Sequence, residues 1–369
     1  MKRLSLVLAL AACGHHKDRA IKHDAAPTAP VGIGLGVDAP PVAVTLPPAP
    51  PVPEQPLGLP ALPASAQLAA ITPDRVAFGA LLFWDSRLAS TGSTSCASCH
   101  DPSKGFSGGI DKTAAGEPNL RRTQVGEPNL RRTQVGEPNL RRTQALANLA
   151  WATEYGWDGR FTTLDDFMRA HVKGQLGQES LDVAITPIAG LPVYAAHIAR
   201  VGGTPGEAAL HALEAYALTR YEGNAPWDWM EHDDAAKGSA GSPVMAGYAL
   251  FTGKAGCAVC HTPPLYTDGR YHRIGPATRD LGRGKVDPNL TGAFVTPSLR
   301  GAALHASFMH DGRATTLAHA IDAHAAAGSD ADPALVAIGK LTPDERDHVQ
   351  AFVMALTGTH SPTAKPTLP

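Results

Sequence analysis

Two pentapeptides, Cys96-Ala97-Ser98-Cys99-His100 and Cys257-Ala258-Val259-Cys260-His261, constrain this chain more than any other feature of its 369 residues. Two thiols separated by two residues can each form a thioether to one haem vinyl group, and the next residue then lies under the iron as an imidazole ligand. A zinc site would use the four thiols and leave two adjacent histidines unexplained, and a thioredoxin-like dithiol has no reason to occur twice. Structural disulfides would suit an oxidising compartment but leave the histidines equally idle. The reading is therefore two c-type haems, with Cys96, Cys99, Cys257 and Cys260 as attachment points and His100 and His261 as proximal ligands.

The fifth cysteine has a different setting. Lys2 and Arg3 precede an apolar stretch from Leu4 to Leu10, and Leu10-Ala11-Ala12-Cys13-Gly14 follows. The stretch is too short to span a bilayer. It resembles a bacterial lipoprotein signal over residues 1–12, which makes Cys13 the acylated first residue of the mature chain; an ordinary secretory signal is the alternative. Either reading puts the body in the periplasm, and several acyl chains give a stable membrane anchor. Gly14 after Cys13 is compatible with the outer membrane. Twelve prolines between Pro27 and Pro63 make residues 13–65 a semi-rigid Pro/Ala-rich spacer. No run of 18 apolar residues occurs elsewhere, and a net charge of −2 offers no basic face for nucleic acid.

The rest of the chain is duplicated. Gly79-Ala80-Leu81-Leu82-Phe83 precedes the first haem motif and Gly247-Tyr248-Ala249-Leu250-Phe251 the second. Asp158-Gly159-Arg160 matches Asp311-Gly312-Arg313, and one register runs from Thr143/Thr296 through Tyr155/Phe308 to His171/His324. Thr204-Pro205-Gly206-Glu207 and Thr342-Pro343-Asp344-Glu345 supply capping boxes, and Val349, Phe352, Val353 and Leu356 mark one face of a terminal helix. Strand patterns are scarce. The fold expected is mainly α, with two cytochrome c-like haem domains at 66–235 and 236–369.

A thioether sulfur at the sixth position raises a haem's potential. After the second motif only Met309 and Met354 are available. Met354 lies beside core-facing Val353, whereas Met309 sits in a turn-like segment, so Met309 is the expected sixth ligand for His261. Its duplicate is Gly156, and neither methionine nor histidine occurs between Asp101 and Phe167. The haem of His100 is therefore expected to be open on its distal side. That division of labour suggests an enzyme.

These residues resemble the bacterial di-haem cytochrome c peroxidase family, which includes the MauG-like enzymes. The resemblance spans residues 70 to 358. It rests on Leu81-Leu82-Phe83-Trp84-Asp85-Ser86-Arg87-Leu88, Trp157-Asp158-Gly159-Arg160, Tyr271-His272-Arg273-Ile274-Gly275, Thr296-Pro297-Ser298-Leu299-Arg300 and Phe308-Met309-His310-Asp311-Gly312. It implies a periplasmic peroxidase that takes electrons from a small c-type cytochrome or cupredoxin and reduces hydrogen peroxide at the N-terminal haem. The C-terminal haem would then be the electron reservoir, Trp157 would lie between the haems, and Arg300 would help hold the cofactor. A homodimer is compatible with the resemblance. Methionine at 309, where the MauG-like branch has tyrosine, favours the peroxidase branch. A MauG-like oxidase acting on a partner protein and a pure electron-transfer cytochrome are the alternatives.

Several positions depart from the family's pattern. Glu179 is the first choice for the distal acid/base, with Gln178 beside it, and His171 is a further candidate for acid/base chemistry or ligation. Arg142 stands where an asparagine ligand to calcium is expected, which counts against calcium. The segment that carries a distal histidine in many relatives holds instead a decamer, Gly-Glu-Pro-Asn-Leu-Arg-Arg-Thr-Gln-Val, at 116–125 and 126–135 and again, ending in Ala145, at 136–145. Its six arginines against three glutamates could attract an acidic donor. Without that histidine, activity is expected to need no prior reduction.

Overall fold

A computed structural model of the chain describes residues 44–108, 141–233, 242–275, 280–328, 331–360 and 364–369. Cys13, the signal segment and the decamer copies up to residue 140 lie outside the described residues. Ala43–Pro369 form one compact unit.

Helices dominate the described residues. In order they are α1 (Ala66–Ala69), α2 (Pro73–Trp84), α3 (Cys96–Cys99), α4 (Leu164–His171), α5 (Leu181–Ala189), α6 (Pro192–Val201), α7 (Pro205–Leu218), α8 (Pro226–His232), α9 (Pro243–Thr252), α10 (Leu317–Ala325) and α11 (Pro343–Met354). The strands form two short antiparallel ladders, β1 (Glu222–Gly223) with β4 (Thr359–His360) and β2 (Tyr271–His272) with β3 (Phe294–Val295).

Each half is built on one helix crossing, α2 on α7 and α9 on α11. The repeated glycine of the two G-x-x-L-F segments is what lets them cross so closely. A Cβ on Gly79 would lie 2.0 Å from the Ala212 carbonyl oxygen, and one on Gly247 would lie 1.9 Å from that of His348. The partner helices start alike. The Thr204 and Thr342 hydroxyls accept from the N–H groups of Glu207 and Glu345, whose carboxylates accept in return from the threonine N–H groups, and Pro205 and Pro343 open the helices. Phe78, Leu82, Ile185, Ile188 and Leu213 fill the first core, and Phe251, Tyr266, Val349, Phe352 and Leu356 fill the second. Burying such side chains contributes roughly 1.5–3 kcal/mol each. Met354 is half exposed on α11 and lines neither of the two large cavities.

Near the expected division at residue 235, α8 packs with the second core: Trp227 is buried there, its ring centre 4.3 Å from Tyr248 and 5.0 Å from Phe352. Residues 44–65 of the proline-rich stretch dock on the body. The Leu57 N–H donates to Asn224 Oδ1 at 2.9 Å, Trp151 Nε1 donates to the Ala61 carbonyl at 3.1 Å, and Arg200 donates to the Leu46 carbonyl at 2.9 Å. An extended proline-rich backbone makes no hydrogen bonds to itself, so its polar groups need partners elsewhere. Here the body supplies them.

Candidate functional site

α3 is a single turn that begins on Cys96, and the second motif opens a 3₁₀ turn at Cys257–Val259. The backbone N–H of His100 bonds to the Cys96 carbonyl at 2.8 Å and that of His261 to the Cys257 carbonyl at 2.9 Å, so both imidazoles leave their turns alike. Nδ1 of His100 lies 3.1 Å from the Phe106 carbonyl oxygen, and Nδ1 of His261 lies 3.0 Å from that of Tyr266. Phe106 and Tyr266 share the same left-handed backbone, φ 56°. An Nδ1–H donated to a carbonyl leaves the lone pair on Nε2, the arrangement a metal-bound imidazole needs. Burial pushes both imidazoles down to about 4, so they are neutral at ordinary pH. Burial also pushes the thiols of Cys96 and Cys257 up to about 12 and that of Cys260 to about 11. A reactive dithiol requires the reverse, a thiol whose pKa is lowered.

A second imidazole stands across each cavity. The ring centres of His100 and His171 are 6.3 Å apart, and those of His261 and His324 are 6.4 Å apart. A metal–imidazole bond of about 2 Å plus about 1 Å from nitrogen to ring centre, counted on both sides, gives about 6 Å. Each pair is thus spaced to take one iron. His324 closes α10 with Nδ1 at 2.7 Å from the Ala320 carbonyl, and the Phe167 carbonyl plays the same part for His171 at the end of α4. Burial, with His100 nearby, pushes His171 down to about 4, and burial lowers His324 as well. Donor chemistry and spacing both fit a haem at each place.

Met309 lines the cavity of His261, as does His324, whose ring centre is 6.4 Å from that of His261. Met309 sits in left-handed backbone at φ 65°, as Gly156 does at φ 84° in the other half, and its carbonyl accepts from Arg142 Nε at 2.9 Å. In the first cavity His171 stands beside His100 in the same way. The duplicated register carries both histidines, and only the folded chain shows what they face.

Gln178 and Glu179 fall outside the cavity wall. After His171 the chain forms a π-helical turn over Val172–Leu176, and Gly177 at φ 65° ends it. Gln175 and Leu176 line the cavity, whereas Glu179 is solvent-exposed. Arg300 lines the larger cavity and is at the same time tied into the surrounding structure. It pairs through two 2.9 Å contacts with buried Asp228, donates Nε to the Pro264 carbonyl at 2.7 Å, and holds the Gly58 carbonyl of the docked proline-rich segment.

Trp157 is buried and lines both cavities, one of about 760 Å³ beside His100 and one of about 150 Å³ beside His261. Its Nε1 donates to the Arg142 carbonyl at 2.9 Å. The Arg142 guanidinium lies 5.1 Å above the indole and donates to the carbonyls of Met309 and Thr143. Burial lowers this arginine only to about 10, so it stays charged. Its cation already occupies those carbonyl oxygens, and this donor set does not fit calcium. A clamp not foreseen from sequence lies alongside, with Arg141 bridging Asp158 at 2.8 Å and Asp280 at 2.8 Å. The repeated Asp-Gly-Arg was its only sequence signal.

Residues 73–235 match the family described as di-haem cytochrome c peroxidase. The chain is 36% identical over 314 residues to the methylamine utilization protein MauG of Methylorubrum extorquens, covering 81% of this chain and 82% of the relative. It is 30% identical over 348 residues to the cytochrome-c peroxidase IdrP2 of Denitromonas iodatirespirans, covering 80% and 85%. Among solved structures, a MauG-like protein associated with microbial copper homeostasis superposes with a TM-score of 0.60 at 23% identity, covering 85% of this chain and 94% of the other. The diheme peroxidase BthA from Burkholderia thailandensis superposes at 0.58 and 22% identity, covering 78% and 86%. At that identity the likeness speaks for the fold alone.

Proposed function

This chain belongs to the di-haem cytochrome c peroxidase family, and from that premise we propose that it reduces hydrogen peroxide to water in the cavity between His100 and His171. Membership implies a haem oxidoreductase with two haem c groups, and the family's peroxidases take peroxide as substrate and a cytochrome as electron donor. Electrons from a small c-type cytochrome or copper protein would enter at the His261/His324 centre and pass Trp157 and Arg142, two of the side chains that line both cavities. We further propose a periplasmic, lipid-anchored location, on the strength of the sequence around Cys13.

One observation carries the reading. The two histidine pairs are near copies, yet about 760 Å³ of space lies beside the first and about 150 Å³ beside the second. The first centre has the larger space beside it, and it is there that a small substrate would be received.

The haem, when bound there, supplies an iron at which an O–O bond can be cleaved. His100, fixed through Nδ1, holds the proximal side. His171 is the neutral base that faces His100, and it would accept the proton from the inner oxygen of peroxide and return it to the departing outer oxygen. One peroxide, two electrons and two protons give two waters. Arg141 and Arg142 keep the adjoining segment fixed between the two halves.

A second reading is a pure electron carrier, which the presence of an imidazole pair at each centre favours. Peroxide added to the holoprotein with an excess of reduced small c-type cytochrome separates the two. The proposal predicts two cytochromes oxidised for each peroxide consumed. Cytochrome oxidation that ignores peroxide would establish the carrier, and peroxide loss without cytochrome oxidation would point to another reductant, such as a partner protein.

A further inference from the structure

We propose that His272, clamped between Asp268 and Asp332 beside the Cys260 attachment point, is the group that binds a proton when the second centre takes up an electron. The proposal needs the haem reading of that centre but not the peroxidase reading.

Three observations combine. His272 closes β2, and its neighbour Tyr271 turns the other way, its hydroxyl donating to Glu154 of the first half. The His272 ring meets two carboxylates at once, with Nδ1 2.7 Å from Asp332 Oδ2 and Nε2 2.8 Å from Asp268 Oδ2. A neutral imidazole has one donor and one acceptor nitrogen, so between two carboxylates it sets a lone pair against an anionic oxygen. The protonated ring satisfies both. The clamp is itself held, since Asp268 Oδ1 accepts from the Arg270 N–H at 2.9 Å and the Asp332 N–H donates to the Arg273 carbonyl at 3.0 Å. Next, Cys260, Asp268 and His272 bring a sulfur, a carboxylate oxygen and a ring nitrogen within 4.8 Å of one another, and His272 and Asp332 line the cavity of His261. A thioether at Cys260 ties the macrocycle to this cluster, where a charge on His272 is only partly screened. With that sulfur spent on the haem and both ring nitrogens engaged, the cluster holds a proton rather than a metal ion. Finally, the His272 side chain is 20% exposed and that of Asp332 30%, so water can deliver the proton.

The groups that bear on the ring are Asp268, Asp332 and the Cys260 sulfur, with Arg273 acting on Asp332, while the strand partner Phe294 carries no charge. Burial works to lower His272, and the two carboxylates outweigh it and hold the imidazole above its ordinary 6.5. The hydrogen bond from His272 holds Asp332 below the usual carboxylate range; burial opposes this at Asp268, where the Arg270 N–H and His272 outweigh it. The ring, not the carboxylates, therefore titrates above pH 6.5. One electron takes the second haem from ferric to ferrous, and one proton from water adds to the lone pair of His272, so the local charge is unchanged. Asp268 also lines the larger cavity, which puts the stored proton beside the place where the peroxidase reading consumes protons.

Spectroelectrochemical titration of the holoprotein across pH tests this, with His324→Ala used to identify the step that belongs to the second centre. Because proton and electron binding favour each other reciprocally, the ratio of reduced to oxidised second haem at one fixed potential should fall about fivefold between pH 6.5 and about pH 9. His272→Gln, whose amide can still donate to both carboxylates but cannot titrate, should lose that fall while keeping two covalent haems. Asp332→Asn removes one of the two anions and should start the fall at lower pH than in wild type. A purely structural role for the clamp would change haem content or melting temperature and leave the pH profile where it was. A wild-type ratio that does not change over this range overturns the proposal, and so does a fall that survives unaltered in His272→Gln. If that variant fails to fold, Asp332→Asn decides, and a fall that begins at the wild-type pH overturns the proposal. A pH-linked second centre in a holoprotein that reduces no peroxide would sink the peroxidase reading and leave this inference standing.

Discussion

Glu214 sits on α7, 7% exposed, with Gln67 Nε2 3.5 Å from its carboxylate. Burial, reinforced by Asp165, pushes it from an ordinary 4.5 up to about 7. A carboxyl whose folded pKa is raised adds stability that is whole below pH 4.5 and lost as pH rises through about 7. Glu214→Gln should therefore raise stability at pH 8 by about 1–3 kcal/mol and flatten the decline between pH 5 and 7. Denaturant melts of the holoprotein at pH 5 and pH 8 check this, and an equal effect at both values would contradict it. At this scale the sequence was most legible where covalent chemistry dictates the spacing, as in the four haem cysteines and the two proximal histidines. Met309 was legible as a residue of the second site, and it lines the cavity of His261. His171 and His324 were visible as duplicates, but facing their partners 71 and 63 residues away in the chain is a product of the fold.

Helices announced themselves where capping was explicit. Thr72, Thr204 and Thr342 each cap a helix with a following proline, and the α11 stripe is buried as its spacing predicts. The π-helical turn left no trace, since Val-Lys-Gly-Gln-Leu has no composition that separates it from an α-helical end. The proline-rich segment was half legible. Its extended form follows from composition, while its docking depends on Asn224, Trp151, Arg200 and Arg300, all distant in sequence. Each of these hydrogen bonds contributes on the order of 1 kcal/mol. Deleting residues 44–65 from the full chain should lower the holoprotein Tm by about 5 °C or more. A Tm unchanged within about 1 °C would return the segment to the role of a free spacer.

The whole molecule is a duplication whose halves have diverged in cavity size and in one turn of helix. The crossing of α2 with α7 repeats in α9 with α11, the carbonyl behind each proximal histidine repeats, and each distal histidine closes a matching helix. The larger space and the π-helical turn occur beside the first site only among the described residues. Trp157 and Arg142 belong to both cavities and form part of the wall between the two centres. Two haems held by paired imidazoles are the central claim, and electron paramagnetic resonance of the fully oxidised holoprotein tests it most directly. The account predicts two low-spin bis-imidazole signals, together equal to the haem content. A high-spin signal from either haem, or a histidine–methionine signal from the C-terminal one, would contradict it.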